Sequence, residues 1–220
     1  MRNLALILHI MVFGAWFGTD MATFHLSRRV LDIGPELPVR AHLARVMLGV
    51  EVVARLCLPT TLVLGLTLAI DGRYLAVDRW WIFPIWVLGA CWVAMVWAIH
   101  RDGGTGGPAV ALTGVDLTVR SVVCVAVLAA GVATVATGDP FTTLWLGIKV
   151  LAFGTIMAIG IRVRFLLRPF SAAFGDLMAN GSTPERELAV RRSLRRAYPW
   201  VMGIWAMLTL AVVMAVVRPT

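Results

Sequence analysis

Six apolar runs of about 20 residues each dominate this chain and constrain its fold more than any other feature. They cover residues 4–24, 46–70, 81–99, 117–137, 143–163 and 199–217. A run of this length matches an α-helix that crosses the hydrocarbon core of a bilayer. The bilayer offers no water to the backbone, so each run can cross only as a helix with internal hydrogen bonds. The sequence therefore predicts an all-α, polytopic membrane helical bundle of about six transmembrane helices.

The overall composition agrees with this prediction. Hydrophobic residues make up 60% of the 220 residues and the mean hydropathy is +0.85, well outside the range of a soluble domain. The runs fill more than half of the chain, which leaves no room for a soluble catalytic module. We therefore predict a single integral membrane domain over residues 1–220, in contact with the lipid bilayer.

The formal net charge of +8 would suggest nucleic-acid binding in a soluble protein. In a membrane protein, the distribution of arginines between the two sides instead indicates the topology. Fourteen arginines lie in or beside the connections that follow the first, third and fifth runs: Arg28, Arg29, Arg40, Arg45, Arg101, Arg120, Arg162, Arg164, Arg168, Arg186, Arg191, Arg192, Arg195 and Arg196. The opposite side has only Arg2, Arg73, Arg79 and Arg218. Because cytoplasmic loops are rich in arginine, we expect both termini outside a cytoplasmic (inner) membrane and no nucleic-acid partner.

The connection over 164–198 is the longest and has an amphipathic pattern. Apolar residues recur in it at helical spacing: Leu167, Phe170, Phe174 and Leu177. This spacing predicts a helix lying on the membrane surface. The stretch from Ser182 to Glu185 resembles a capping box with proline in the first turn, and an arginine-rich helix would follow. We expect an amphipathic cytoplasmic loop that faces lipid headgroups or docks a partner.

The first run places polar and aromatic side chains on one stripe. Offsets of 4, 7 and 11 residues return to the same face of a helix, and the residues at these offsets are His9, Phe13, Trp16 and Asp20. Gly14 and Gly18 form a G-x-x-x-G pattern on the opposite side, which predicts close contact with another helix. His9 is then either a hydrogen-bonded core histidine or a ligand.

Lys149 is the only lysine of the chain and lies inside the fifth run. Counted from the outer side, His9 lies roughly 8 Å deep and Lys149 roughly 9 Å, at 1.5 Å per residue. The two can therefore share one layer of the membrane. The alternative is that the lysine extends its ammonium group to the outer headgroups.

A second polar layer is predicted toward the cytoplasm. Asp20, Glu51, Arg55, Asp116 and Arg120 belong to it. Two acid-to-base pairs with i,i+4 spacing occur among them, in the favourable orientation. Such pairs can neutralise each other and fix helix register, or they can transfer protons or hold the charged edge of a cofactor.

Short motifs in three of the runs resemble the HemJ-type protoporphyrinogen oxidases and the related copper resistance protein D domains. The matching residues are His9, Trp16, Phe17 and Gly18 in the first run, Arg55, Pro59 and Leu64-Gly65 in the second, and Trp145-Leu146 and Lys149 in the fifth. The resemblance implies a small helical bundle that binds haem b. It makes His9 and Lys149 the expected metal ligands, with Trp16 and Arg55 beside the porphyrin.

These patterns leave three functions open and assign no catalytic residue. The first is a b-type haem-binding redox protein, with a quinone or a porphyrin as partner. The second is a copper or small-solute permease. The third is a non-catalytic accessory subunit that binds another membrane subunit or a second copy of itself.

Overall fold

The computed structural model describes residues 2–102 and 107–219, without the side chain of Pro108. Within these ranges seven α-helices follow one another: α1 (Arg2–Val30), α2 (Leu37–Asp71), α3 (Ile82–Arg101), α4 (Gly107–Thr137), α5 (Leu144–Asn180), α6 (Pro184–Arg195) and α7 (Tyr198–Val217). Among the described residues, six helical segments are long and apolar enough to cross a membrane. The last of them runs from Pro184 to Val217, and its apolar part is α7, because α6 is polar. The predicted all-α bundle with six spanning helices is confirmed, and the chain is a multi-pass integral membrane protein.

The spanning helices form a bundle that closes on itself. Each one packs against the next along the chain, and α7 contacts both α5 and α1. Every spanning helix contributes at least one buried side chain to a common core: Trp16, Leu58, Trp92, Cys124, Met157 and Leu208. The turn between α4 and α5 makes these two helices antiparallel neighbours.

Close packing through glycine occurs between α4 and α5 rather than on α1. A Cβ atom placed on Gly131 would lie 2.7 Å from the backbone nitrogen of Leu151. A side chain there would push the two helices apart, because real Cβ atoms do not approach backbone atoms so closely. A Cβ atom placed on Gly14 or Gly18 would meet nothing within 4 Å. The predicted close contact of that glycine face of α1 is therefore wrong within a single chain.

The predicted surface helix is part of α5. This helix runs without interruption from the membrane span to Asn180 and is 37 residues long. At 1.5 Å per residue it measures about 56 Å, roughly 25 Å more than the hydrocarbon thickness. Its apolar face meets protein, since Phe170 and Leu177 pack with Val30 and Met47 in a second buried cluster. The extension is thus an arm covered by the ends of α1 and α2.

The start of α6 also differs from the predicted capping box. Thr183 is the N-cap, and its side chain accepts a hydrogen bond from the backbone N–H of Arg186 at 3.4 Å. Ser182 donates instead to a carboxylate oxygen of Glu187 at 2.7 Å. Pro184 occupies the first turn as predicted.

A buried ion pair fixes α6 against the rest of the protein. Arg40, near the start of α2, donates to both carboxylate oxygens of Glu187 at 2.6 and 2.9 Å. Its Nε donates to the carbonyl oxygen of Val30 at 3.0 Å. Hydrogen bonding from Arg40 lowers the pKa of Glu187 below its usual range. One guanidinium thus ties together the end of α1, the start of α2 and the first turn of α6. We call this arrangement the Arg40 clamp.

Candidate functional site

A cavity of about 340 Å³ lies between α1, α2, α4, α5 and α7, at the end of the bundle predicted to face the cytoplasm. We call it the inner cavity. Its apolar wall includes Trp16, Leu58, Ile156, Met157 and Ile204. All five residues of the predicted inner polar layer line its other side. The layer is therefore assembled around one space, although its members come from three different helices.

Asp116 is the centre of the charged wall. It accepts hydrogen bonds from Nε of Arg120 at 2.9 Å and from Nη1 of Arg164 at 2.8 Å. The indole Nε1 of Trp92 donates to it at 3.0 Å. The i,i+4 pair expected from the sequence is present, and Arg164 and Trp92 are additions from α5 and α3. One carboxylate facing two guanidiniums leaves this group with a net positive charge.

Asp20 and Glu51 are the other two carboxylates of the cavity wall. Asp20 accepts from the indole Nε1 of Trp205 at 2.8 Å, and no arginine pairs with it among the described residues. Glu51 accepts from Nε of Arg55 at 2.7 Å, in a pair that stays partly exposed. The two acids lie close enough for their charges to interact. They are the carboxylates of this wall that lie outside the Asp116 group.

The cavity lining contains more arginines than acids. Four arginines and three acids line it: Arg55, Arg120, Arg164 and Arg168, and Asp20, Glu51 and Asp116. The guanidinium of Arg168 also stacks over the ring of Phe165, 4.2 Å from its centroid. A molecule with an apolar body and an acceptor or anionic group could place each part against a matching wall.

His9 lies outside the inner cavity, on the outer side of Trp16. The ring of His9 faces α2, because a Cβ atom added to Gly65 would lie 3.5 Å from its Cε1 atom. Its Nδ1 atom is buried and has no hydrogen-bond partner among residues 2–102 and 107–219. The imidazole therefore has an unused nitrogen in an apolar layer.

Lys149 projects from α5 into the same layer. It is close enough to His9 for the two charges to interact. Within the described chain it forms no ion pair, and the positive charge of Arg218 lies close enough to interact with it. Arg218 itself lies over the ring of Trp145, 5.6 Å from its centroid. The outward extension of the lysine to the headgroups therefore stays a prediction beside its role as a ligand.

The four residues predicted to contact a cofactor therefore fall into two layers. His9 and Lys149 lie in the outer half, whereas Trp16 and Arg55 line the inner cavity. Trp16 packs edge-on against Phe153, with ring centroids 6.0 Å apart, and Trp16 itself belongs to the apolar wall of the cavity. Sequence reasoning missed Trp92, Trp205 and Arg164. The only indication of these three residues in the sequence is that each has a polar side-chain group within an apolar run or at its edge.

Comparison of the chain with protein-family models, curated proteins and solved structures gives no match. The fold and the two polar layers are therefore interpreted from their own chemistry.

Proposed function

We propose that this protein is a b-type haem-binding redox protein of the cytoplasmic membrane, with His9 as an iron ligand. The observation that supports the proposal is the buried Nδ1 atom of His9, which lacks a hydrogen-bond partner among the described residues. Leaving a buried polar atom unsatisfied costs about 1–3 kcal/mol. A bound group that engages the imidazole would remove this cost.

The chemistry of the available donors fits a haem better than a bare metal ion. A porphyrin supplies four nitrogen ligands itself, so one or two side chains complete the coordination of its iron. Within the described residues there is no group of three or more His, Cys, Asp or Glu side chains that could hold a free metal ion. A haem therefore needs fewer side-chain ligands than a free ion does, which supports the haem hypothesis.

Lys149 would act beside His9 in one of two ways. Its amine can ligate iron when neutral, or its ammonium can pair with a carboxylate of the porphyrin. Neutral ligation is open to lysine and effectively closed to arginine. Haem, when bound, supplies one-electron redox chemistry. The protein would contribute the ligand, the orientation of the ring and apolar surroundings that include Trp16 and Phe153.

The inner cavity would then receive the lipid-soluble partner. A quinone has an apolar body and two carbonyl oxygens, which match the apolar wall and the arginine-rich wall respectively. Asp20 and Glu51 would lie beside the carbonyl oxygens on that wall and would be the side chains that exchange protons with the bound molecule. The cavity extends to the inner end of the bundle, so these protons would be exchanged on the cytoplasmic side.

The decisive experiment is an absorption spectrum of the purified protein, oxidised and dithionite-reduced, after expression with haem supplied. We expect a Soret band that His9→Ala abolishes or shifts. The matched control is His42→Ala, which removes an exposed histidine from α2. Wild-type protein without a Soret band would refute haem binding.

Lys149 is tested in the same spectrum. We expect Lys149→Arg to disturb the haem signal nearly as much as Lys149→Ala, because the guanidinium cannot supply a neutral amine. A wild-type spectrum for Lys149→Arg would instead show that any positive charge suffices at this position.

A further inference from the structure

A second cavity, distinct from the inner cavity, lies where the end of α1 meets α6. Its volume is about 360 Å³, and its lining residues are His25, Arg28, Arg29, Leu31, Asp32, Arg191, Arg195 and Tyr198. We call it the arginine pocket. Five of these eight side chains are charged, His25 and Tyr198 are polar, and Leu31 is the only aliphatic one. A hydrophilic group therefore fits this space, whereas an acyl chain does not.

The shape of the arginine pocket is fixed by packing, because the Arg40 clamp determines the position of α6 against α1. Glu187 lies four residues before Arg191, so both side chains are on the same side of α6. The clamp holds Glu187 against the end of α1 through Val30. On the other side, Tyr198 packs on Phe24 with ring centroids 4.7 Å apart. These contacts fix the guanidiniums of α6 opposite those of α1.

The charges of the pocket are not balanced. Asp32 accepts from Arg29 at 3.4 Å, in an exposed pair. Arg28, Arg191 and Arg195 have no acidic partner in the described part of the chain. Four arginines and one aspartate give a local charge of +3 with His25 neutral. Like charges gathered in a concave site repel one another unless an anion binds between them.

We propose that the arginine pocket binds an anionic ligand that carries two phosphate groups. Guanidinium groups bind phosphate oxygens with paired, charge-assisted hydrogen bonds, and three of them are available here. Two phosphates offset the +3 charge better than a single diester does. The pocket lies about one helical turn beyond the apolar run that ends at residue 24, which places it at the headgroup level.

Two sources could supply this chemistry. One is the diphosphate headgroup of cardiolipin in the surrounding bilayer, which basic pockets at the cytoplasmic side of membrane helices recognise. The other is a soluble diphosphate in the cytoplasm. The lining residues are common to both, so the experiment must separate them.

The test uses the full-length protein. Binding of cardiolipin is measured by native mass spectrometry from detergent, and binding of pyrophosphate by calorimetry in phosphatidylcholine nanodiscs. We expect Arg191→Gln/Arg195→Gln to weaken binding by roughly tenfold or more, since each lost charge-assisted bond contributes on that order. The matched control is Arg192→Gln/Arg196→Gln, which removes the same charge from exposed positions beside the pocket.

Cardiolipin binding alone would support the proposal with a lipid as the ligand, and pyrophosphate binding would support it with a soluble one. Absence of both would overturn it. Equal losses in the pocket and control variants would also overturn it, because general positive charge would then explain the binding. If the double variant does not fold, Arg28→Lys replaces it. Lysine keeps the charge but loses the paired hydrogen bonds, so a several-fold weakening is expected.

Discussion

The Arg40 clamp offers the sharpest test of how the inner end of this protein is held together. Arg40 has 1% of its side chain exposed and Glu187 has 10%. We consider the single changes Arg40→Leu and Glu187→Leu together with the double variant. Either single change leaves one charge buried without its partner, whereas the double variant leaves neither.

Removing one partner of a buried ion pair costs about 3–5 kcal/mol, and replacing both by apolar residues is often nearly neutral. The cost should fall on α6, because a 12-residue helix is marginally stable without tertiary contacts. We therefore expect each single variant to release α6 from the bundle and the double variant to retain it in place.

Hydrogen exchange of the α6 amides in nanodiscs measures this directly, since it reports local opening. A loss of 3–5 kcal/mol should accelerate exchange over residues 184–195 by roughly 10²- to 10³-fold or more. The matched control is Asp176→Leu, which breaks the more exposed 3.0 Å pair with Arg186 and should cost less than about 1 kcal/mol.

The stability of α6 in the bundle should decrease as the pH falls into the acidic range. The pKa of Glu187 is lower in the folded protein than its ordinary value of 4.5, through hydrogen bonding from Arg40. The carboxylate therefore contributes its stabilisation above pH 4.5 and loses it as the pH falls below that value toward the folded-state pKa. Protection of α6 in the wild type should fall in that acidic range. Slow exchange in both single variants at pH 7, or faster exchange in the double variant than in either single one, would refute the reasoning.

Three further predictions follow from the packing and topology. In thermal unfolding in mild detergent, we expect Asp116→Ala to destabilise the protein by roughly 2 kcal/mol more than Glu51→Ala does. The reason is that Asp116→Ala leaves two arginines without their carboxylate at a buried site, whereas the Glu51–Arg55 pair is partly exposed. A result in the opposite order would contradict this. In the same assay Gly131→Ala should destabilise by about 1–3 kcal/mol through overpacking, whereas Gly18→Ala should be neutral or slightly stabilising. Equal effects of the two glycine changes would count against the packing of α4 on α5. Finally, a cysteine introduced after Arg218 should react with a membrane-impermeant reagent in intact cells; failure to react would reverse the predicted topology.

Several features of the protein could be predicted from the sequence because they are local. The six spans follow from run length and from the need of a backbone in lipid to make its own hydrogen bonds. The pairs Glu51–Arg55 and Asp116–Arg120 follow from i,i+4 spacing along one helix, and the structure contains both. Each of these requires information from one helix only.

The candidate site was only partly accessible to such reasoning. Depth along a helix can be counted, so a common layer for His9 and Lys149 could be predicted. Whether a space opens beside a given layer depends on how five helices fit together, and no single run reveals this. The inner cavity, with Trp16 between the two layers, is therefore a property of the assembled bundle.

Only the tertiary structure decided which helix faces are covered. Gly14-x-x-x-Gly18 has the sequence pattern of a contact face, yet close contacts form at other glycines, among them Gly131. Arg40 and Glu187 are 147 residues apart, and the sequence around either residue does not indicate that the two form a pair. The physical reason is that lipid is as apolar as the helix surfaces. Apolar composition therefore determines that a helix lies in the membrane. Close packing and buried polar bonds between distant segments determine which helices it contacts.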